Sequence, residues 1–420
     1  MGFHHYYIWF NVQSGSIQLE EWISLLTLCL APLLVHIIVG VPHPVHLHDR
    51  VPKWHDRIVH YNPTSIIWRY FVIADRRLRS KDWSATDMAA SNALFWTETG
   101  WDGSETMMIK SRIYCEKRPQ RTRIRFLSVS AGKSLIITAQ GIQALALVIN
   151  GITTFSRFFI KIGMPNIFFP FAVLGLIRLF AAAWLTEDYT YIQRYAFESD
   201  SEGSSLAGEP EKPEATTLSS IDDQLSLIAS ARLHPRLCRS GLAWRIFFLF
   251  FIACLWLLPV ITMLPFRWGI YFTGTLFSMG IFYFFFLSVS LFSIAACIFT
   301  AKSTTTIFPY ATKRWYKIYT CVLFLFMGTM VGIAAMENRK APCGAYTTYP
   351  TTTMVPHYFD FDEFLCGITR VGKASPNGIW GLAFNTSGTG SDDTVSSYEG
   401  LCMGTFGSLN ITMNMNSILT

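Results

Sequence analysis

Six stretches of apolar residues, each long enough to cross a membrane, constrain this 420-residue chain more than any other feature. A helix needs about 20 residues to cross the roughly 30 Å hydrocarbon core of a bilayer. The stretches cover residues 22–41, 134–155, 166–186, 244–264, 268–301 and 316–336. Only 15% of the residues are charged, whereas soluble domains carry about a quarter. We therefore predict an all-α polytopic membrane protein with six transmembrane helices.

The charged residues between these stretches predict how the chain is oriented. Segment 42–125 contains 15 basic and 9 acidic residues, and segment 302–317 contains 4 basic and no acidic residues. Segment 1–21, a short exterior N-terminus, contains no basic residue. Loops rich in Lys and Arg stay in the cytosol. The uneven distribution of basic residues thus predicts an N-out/C-out topology with anionic lipid headgroups as partners, so the formal charge of +6 does not indicate nucleic acid.

The tail, residues 337–420, is predicted to lie in the lumen or outside the cell as a small irregular or β-containing region. It holds both glycosylation sequons of the chain, at Asn385 and Asn410. Because such sequons are modified only on that side of a membrane, they agree with the charge distribution. An oxidising compartment also predicts one disulfide among three candidates, which are Cys343, Cys366 and Cys402. Three pairings are open.

The first cytosolic loop, 42–125, is predicted to be a structured domain. Its aromatic stretch 66–73 is typical of a segment at the membrane interface. Ser84 and Asp87 form a weak capping box that opens a short helix. The basic run 118–125 then leads into the second span, where it is expected to contact anionic headgroups.

The second cytosolic loop, 187–243, has a different composition. Residues 198–223 are rich in Ser, Glu, Pro and Gly and too polar to form a core, so we predict disorder. Serines followed three residues later by an acid suit acidophilic kinases. An acidic dileucine pattern at the end of this region consists of Asp223, Leu227 and Ile228. It predicts a sorting adaptor as a partner.

The histidines are concentrated near the N-terminus, with eight of the ten in the first 60 residues. His43, His46 and His48 are spaced closely enough to share a metal ion. Membrane hydroxylases and desaturases need several separated histidine boxes, and this chain has one cluster. The simpler interpretation is a polar connector stiffened by prolines, so no cofactor is predicted and a metal stays the alternative.

Polar residues inside the spans predict a second kind of site. Gln140 and Gln143 lie on one face of the second span, on a polar stripe that would be unfavourable against lipid. At the same predicted depth lie Arg178 of the third span and His36 of the first. We predict that the four side chains line a polar cavity open to the cytosol, with Arg178 suited to an anionic group. The alternative is that the polar residues only form hydrogen bonds that hold the helices together, while the Arg178 side chain extends to the membrane–water interface.

The stretch 83–105, WSATDMAASNALFWTETGWDGSE, resembles multi-pass membrane proteins of filamentous fungi whose activity is uncharacterised. The resemblance covers about a quarter of the chain. It implies a fungal integral membrane protein and carries no site residues.

Three functions compete on these observations. The preferred one is non-enzymatic transport of a solute or lipid, because phosphate-binding, hydrolase and zinc-protease motifs are missing. The second is a membrane scaffold or sensor that acts through the cytosolic loop and the tail. The third is a metal-dependent membrane enzyme that uses the histidine cluster. Each is placed in the plasma membrane or an endomembrane such as the vacuole, endosome or secretory pathway.

Overall fold

The structure is a computed structural model, and most of the residues it describes are helical. It describes residues 8–48, 50–117, 129–153, 162–185, 189–191, 232–235, 238–263, 272–300, 310, 312–341, 343–350, 352–353, 359–360, 365, 368–371, 381–383 and 395–398. The α-helices are α1 (Leu19–Gly40), α2 (Trp54–Arg57), α3 (Pro63–Arg79), α4 (Ala85–Asn92), α5 (Glu105–Lys110), α6 (Val129–Thr153), α7 (Phe169–Gly175), α8 (Arg239–Met263), α9 (Gly274–Thr300) and α10 (Arg314–Glu337).

Short strands connect these helices. They are β1 (Ile8–Trp9), β2 (His43–His46), β3 (Ala93–Thr97), β4 (Gly100–Asp102), β5 (Cys115–Lys117), β6 (Tyr189–Tyr191), β7 (Phe272–Thr273), β8 (Arg339–Lys340), β9 (Tyr346–Thr347), β10 (Thr352–Thr353), β11 (Phe359–Asp360), β12 (Ile368–Val371), β13 (Gly381–Ala383) and β14 (Val395–Tyr398). The last seven lie in the tail, where β8 pairs with β9, β10 pairs with β11, and β14 lies between β12 and β13. This agrees with a tail that contains β-structure.

Four of the helices, α1, α8, α9 and α10, are long and apolar enough to cross a membrane. They correspond to four of the six predicted stretches. The other two stretches overlap shorter apolar helical segments, Leu135–Ala146 within α6 and Met164–Phe180. Large apolar side chains remain exposed on the outer faces of the four long helices, as expected where lipid surrounds them.

The stretch predicted as one helix over 166–186 is broken. Its α-helical part is α7, and 3₁₀ helices precede and follow it at Met164–Asn166, Leu176–Phe180 and Ala182–Trp184. Pro165 and Pro170 lack the N–H that a continuous helix needs, and each stands in the first turn of its element. Glycines let this broken segment approach α6: a Cβ on Gly141 would lie 2.4 Å from Cδ2 of Leu176.

A small domain covers one end of the helical bundle. We call it the loop domain, and it consists of residues 42–62 and 80–117 with 189–191 and 232–235. Its sheet has the order β2-β3-β4, with β2 parallel to β3 and β4 antiparallel to β3. The predicted capping box is confirmed at the start of α4: Ser84 N–H donates to Asp87 Oδ2 over 2.9 Å, and Asp87 N–H donates to Ser84 Oγ over 3.1 Å. Strand β5, which precedes the second span, pairs antiparallel with β6, which follows the third.

Helix α3 lies between the loop domain and the bundle. It contains the stretch 66–73, for which we predicted an interfacial position, and every side chain of that stretch is buried. Its first turn meets α10, where Asn62 Nδ2 donates to Thr320 Oγ1 over 2.8 Å. Its later turns meet α8, where the rings of Phe71 and Phe248 are 4.8 Å apart. The chain itself, rather than lipid, therefore surrounds this helix.

The opposite end of the bundle brings the two termini of the helical region together. Gln13 N–H donates to Met336 O over 3.0 Å, and β1 pairs with β7. Glu337 accepts from the backbone N–H groups of Gly274 and Thr275 over 2.9 and 2.7 Å, so its carboxylate caps the N-terminus of α9. Just beyond, Cys343 is disulfide-bonded.

Candidate functional site

His36 and Arg178 lie where α1 ends, beneath the loop domain. Arg178 belongs to the 3₁₀ helix that follows α7, and its Nη1 donates to the carbonyl of Val39 over 3.2 Å. His36 lies three residues earlier on α1, with its ring 5.6 Å from that of Phe171 on α7. Both polar side chains are only 4% exposed. The structure thus places two of the four predicted cavity residues at one junction between α1 and the broken segment.

The charge of Arg178 has no carboxylate partner among the described residues. Its Nε is buried without a hydrogen-bond partner, and so is Nε2 of His36. The carbonyls at the end of α1 offer partial negative charge, but Arg69 also uses them, donating to Gly40 O over 2.6 Å. Buried arginines are normally paired. The guanidinium of Arg178 therefore has hydrogen-bond donors and a positive charge that the described residues satisfy only in part.

The two predicted glutamines differ in their surroundings. Helix α6 packs on α7 through a face that contains Ile137, Gly141 and Ala144, all of them buried. Gln140, beside this face, is half-buried, whereas Gln143 is exposed. Gln140 is therefore placed beside the broken segment, and Gln143 lies on the outer surface of the described bundle.

The histidine cluster is part of the sheet of the loop domain. His43 begins β2, and the ring of His46 lies 6.0 Å from that of Trp101. Nδ1 of His48 accepts a hydrogen bond from the Arg50 N–H over 3.0 Å. Within the described part of the chain, no group of three or more His, Cys, Asp or Glu is arranged to hold a metal ion.

A buried network of charges, which the sequence did not reveal, joins the loop domain to the bundle. Arg245 of α8 binds Asp75 of α3 through two hydrogen bonds, Nε to Oδ1 over 2.8 Å and Nη2 to Oδ2 over 2.9 Å. Arg79 contacts the same carboxylate over 3.2 Å and Glu105 of α5 over 2.6 Å. All four side chains are at most 4% exposed. We call these four residues the junction network.

Two further arginines surround the junction network. Burial lowers the pKa of Arg76 to about 10, against the opposing charges of Glu105 and Asp75, and its guanidinium donates to the carbonyl of Gly103. Arg232, near the end of the second loop, pairs with Asp87 over 2.8 Å. This ion pair holds the described residues 232–235 against α4.

Several predicted sites lie outside the described residues, and these are Asn385, Asn410, Cys366, Cys402, Asp223, Leu227 and Ile228. Comparisons with protein-family models, curated proteins and solved structures found no match to the chain. The function is therefore inferred from the geometry and charge of the residues above.

Proposed function

We propose that the protein transports an anionic solute or lipid, and that His36 and Arg178 bind the anionic group. The observation that carries this proposal is the buried guanidinium of Arg178, which has no carboxylate partner among the described residues and an unpartnered Nε. Ionisable residues within membrane-spanning segments often line the pathway of a substrate or ion. A fixed, planar guanidinium suits a carboxylate, phosphate or sulfate.

The broken segment 164–184 supports the same proposal. Transporters bind substrates where membrane-crossing helices are interrupted, because the interruption exposes backbone groups and permits movement. A stretch of 3₁₀ helix in the middle of a span is also typical of a hinge. Arg178 lies in this stretch, and Gln140 lies on the helix that packs against it.

A six-span, N-out/C-out topology forms part of this proposal. The segments before α1 and after α10 meet at one end of the bundle, which favours an even number of crossings. The broken segment is supported as a crossing by its contacts at both ends. Met164 N–H donates to Asn338 Oδ1 over 3.1 Å, and the carbonyl of Trp184 accepts from Asn92 of the loop domain over 3.0 Å.

Glycosylation tests this topology. In a eukaryotic host we expect Asn385 and Asn410 to carry glycans, and a tag at the C-terminus to be digested by protease only in opened vesicles. Loss of the tag from sealed, cytosolic-side-out vesicles, with both asparagines unmodified, would contradict it.

Flux measurements test the transport function. The full chain would be reconstituted in liposomes, and movement of inorganic phosphate, sulfate, citrate, NBD-phosphatidylserine and NBD-phosphatidylcholine would be followed. We expect the wild type to move at least one anionic probe, and Arg178→Met to slow it about tenfold or more, as for loss of one charge-assisted hydrogen bond. Arg239→Met, which removes an exposed arginine at the start of α8, serves as the matched control.

The outcome separates transport from a structural role. Equal fluxes in wild-type and protein-free liposomes for all five probes would contradict the proposal. Unchanged flux in the Arg178 variant would contradict the site.

A scaffold or sensor role is the second candidate, and the junction network favours it. The network ties α5 of the loop domain through α3 to α8, so a partner that moves the loop domain would move a membrane span. This role predicts that breaking the network changes partner binding without changing any flux.

A further inference from the structure

A cleft at the edge of the loop domain lies apart from His36 and Arg178. Three segments far apart in sequence form its walls: the connector at 50–56, the hairpin between β3 and β4, and the start of α10. Its internal volume is about 200 Å³, enough for the polar headgroup of a lipid but small for a macromolecular segment. The hairpin tip reaches the start of α10 at Gly100, which adopts φ +111° and therefore favours glycine.

Two tryptophans form an apolar lining for this cleft. Trp96 and Trp101 are each 8% exposed, and their rings meet edge to face at 4.9 Å. Both indole N–H groups are occupied by backbone carbonyls, since Trp101 donates to Asp56 O over 2.9 Å and Trp96 donates to Arg50 O. The rings are therefore held in place and offer apolar surface, which suits the C–H face of a polyol ring.

The rim of the cleft carries two exposed basic residues and, against them, one exposed acidic residue, Glu98. Arg50 and Lys53 are exposed, and neither side chain forms an ion pair with any residue that the structure describes. Lys317 forms an ion pair with Asp56, and its Nζ lies 3.3 Å from Nδ1 of His55. The hydrogen bond and charge of Lys317 outweigh the effect of burial and lower the pKa of Asp56, so that carboxylate stays charged and paired. Two cations thus remain for an anionic ligand.

Exposed aromatic residues place the cleft at the membrane surface. Trp54 is 69% exposed on the connector side of the cleft, and Trp315 is 45% exposed at the start of α10. Three residues after Trp315, Ile318 is 64% exposed on the flank of this candidate span. Tryptophan next to an apolar helix surface is typical of the headgroup layer.

We infer that this cleft binds the phosphorylated polyol headgroup of an anionic lipid, such as a phosphoinositide. Arg50 and Lys53 would hold the phosphates through charge-assisted hydrogen bonds, and the polyol ring would lie against Trp96 and Trp101. The acyl chains would enter the bilayer beside Trp54 and Trp315. The site is separate from the proposed transport site, and detergent-solubilised protein can test it whichever way the chain is oriented.

Thermal unfolding of the purified full chain in neutral detergent tests the inference. Four probes would be titrated: dioctanoyl phosphatidylinositol bisphosphate, dioctanoyl phosphatidylserine, dioctanoyl phosphatidylcholine and free inositol trisphosphate. We expect the phosphoinositide to raise the Tm most and phosphatidylcholine to have no effect. Arg50→Gln/Lys53→Gln should weaken phosphoinositide binding roughly 30-fold, since each removed cation reduces the interaction with an anionic lipid about fivefold.

A matched double variant controls for general electrostatics. Lys81→Gln/Arg239→Gln removes one exposed lysine and one exposed arginine outside the cleft, and should bind like wild type. Equal weakening in both double variants, or no stabilisation of wild type by the phosphoinositide, would overturn the site. Equal stabilisation by free inositol trisphosphate would assign the cleft to a soluble ligand and overturn the lipid inference.

Discussion

Two groups of buried arginines meet at the loop-domain end of this protein, and their surroundings differ. In the junction network, Arg245 and Arg79 share the carboxylates of Asp75 and Glu105 over distances of 2.6 to 3.2 Å. Beside α1, Arg178 of the 3₁₀ helix Leu176–Phe180 donates one hydrogen bond, to the carbonyl of Val39 at 3.2 Å, and its Nε has no partner. Both groups are removed from solvent.

The difference separates a structural use of charge from a binding use. Fully paired buried charges hold elements in one arrangement, and removal of either partner leaves the other charge buried and unpaired. A buried cation without a counter-ion carries a desolvation penalty that the fold does not recover. We therefore interpret the junction network as the attachment of the loop domain, and Arg178 as a residue retained for a ligand.

The largest expected effect comes from breaking the junction network. Arg245→Met would leave Asp75, which is fully buried, without its bidentate partner, so the free energy of unfolding should fall by about 3 to 5 kcal/mol. Chemical unfolding of the protein in nanodiscs measures this change. Asp75→Asn/Arg245→Met should recover more than half of the loss, because no carboxylate is then left unpaired. A single variant as stable as wild type would show that the network does not hold the domain.

A smaller effect is expected for Glu337, whose charge is stabilised by the N-terminus of α9 and not by a counter-ion. Glu337→Ala would leave the N–H groups of Gly274 and Thr275 unsatisfied at the start of α9, and should reduce stability by about 2 kcal/mol. Glu337→Gln keeps an acceptor oxygen and should lose less. Equal losses in both variants, measured by the same unfolding assay, would argue against capping.

The loop domain also contains a buried histidine, which should make its stability depend on pH. Burial, together with His46 and against the charge of Asp56, lowers the pKa of His60 from 6.5 to about 3. Above pH 6.5 the residue is neutral in both states. Between pH 6.5 and about 3 only the unfolded chain takes up the proton, so this contribution to stability falls by up to about 1.4 kcal/mol per pH unit as the pH drops.

Tryptophan emission follows unfolding of the chain, and one of its 13 tryptophans, Trp101, has its ring 4.3 Å from that of His60. We expect unfolding midpoints followed by tryptophan emission to fall between pH 7 and 5.5, and to fall less in His60→Asn. The same decline in both proteins would assign the pH dependence to other groups.

The smallest expected effect on stability is that of Arg178→Met. Loss of the bond to Val39 should be offset by removal of a desolvated charge, so the free energy of unfolding should change by less than about 1 kcal/mol. Unfolding in nanodiscs without added anions measures it beside Arg245→Met. If Arg178→Met lowers the free energy of unfolding as much as Arg245→Met does, Arg178 serves as a structural cap of α1. The contrast between Arg178 and the junction network would then be wrong.

The length of the apolar stretches predicted four helices of the bundle, because whether a segment can cross a membrane depends on its own residues and not on distant contacts. Four predicted stretches coincide with helices α1, α8, α9 and α10 to within a few residues, and Ser84 with Asp87 correctly predicted the start of α4. The break in the third stretch had a visible signal in Pro165 and Pro170, but proline alone does not distinguish a kink from a change to 3₁₀ helix.

The junction network could not be predicted, because each of its charges looks like a solvated residue in its own segment. Asp75 and Arg79 follow an aromatic run, which made α3 resemble an interfacial helix, while their partners Glu105 and Arg245 lie 26 and 170 residues away. Only the fold brings them together. His36 and Arg178 could be proposed from the sequence because an ionisable residue inside an apolar span needs an explanation whatever its partners.

Aqueous access to His36 tests the central claim most directly, without knowledge of the substrate. His36→Cys, in a chain whose other unpaired cysteines are replaced by alanine, would be treated with a membrane-impermeant methanethiosulfonate from the loop-domain side. Leu25→Cys, equally buried on the same face of α1, is the control. We predict that Cys at 36 reacts, that a transported anion slows the reaction, and that Cys at 25 stays unmodified. If the two positions are equally unreactive, no pathway reaches Arg178 and the account is wrong.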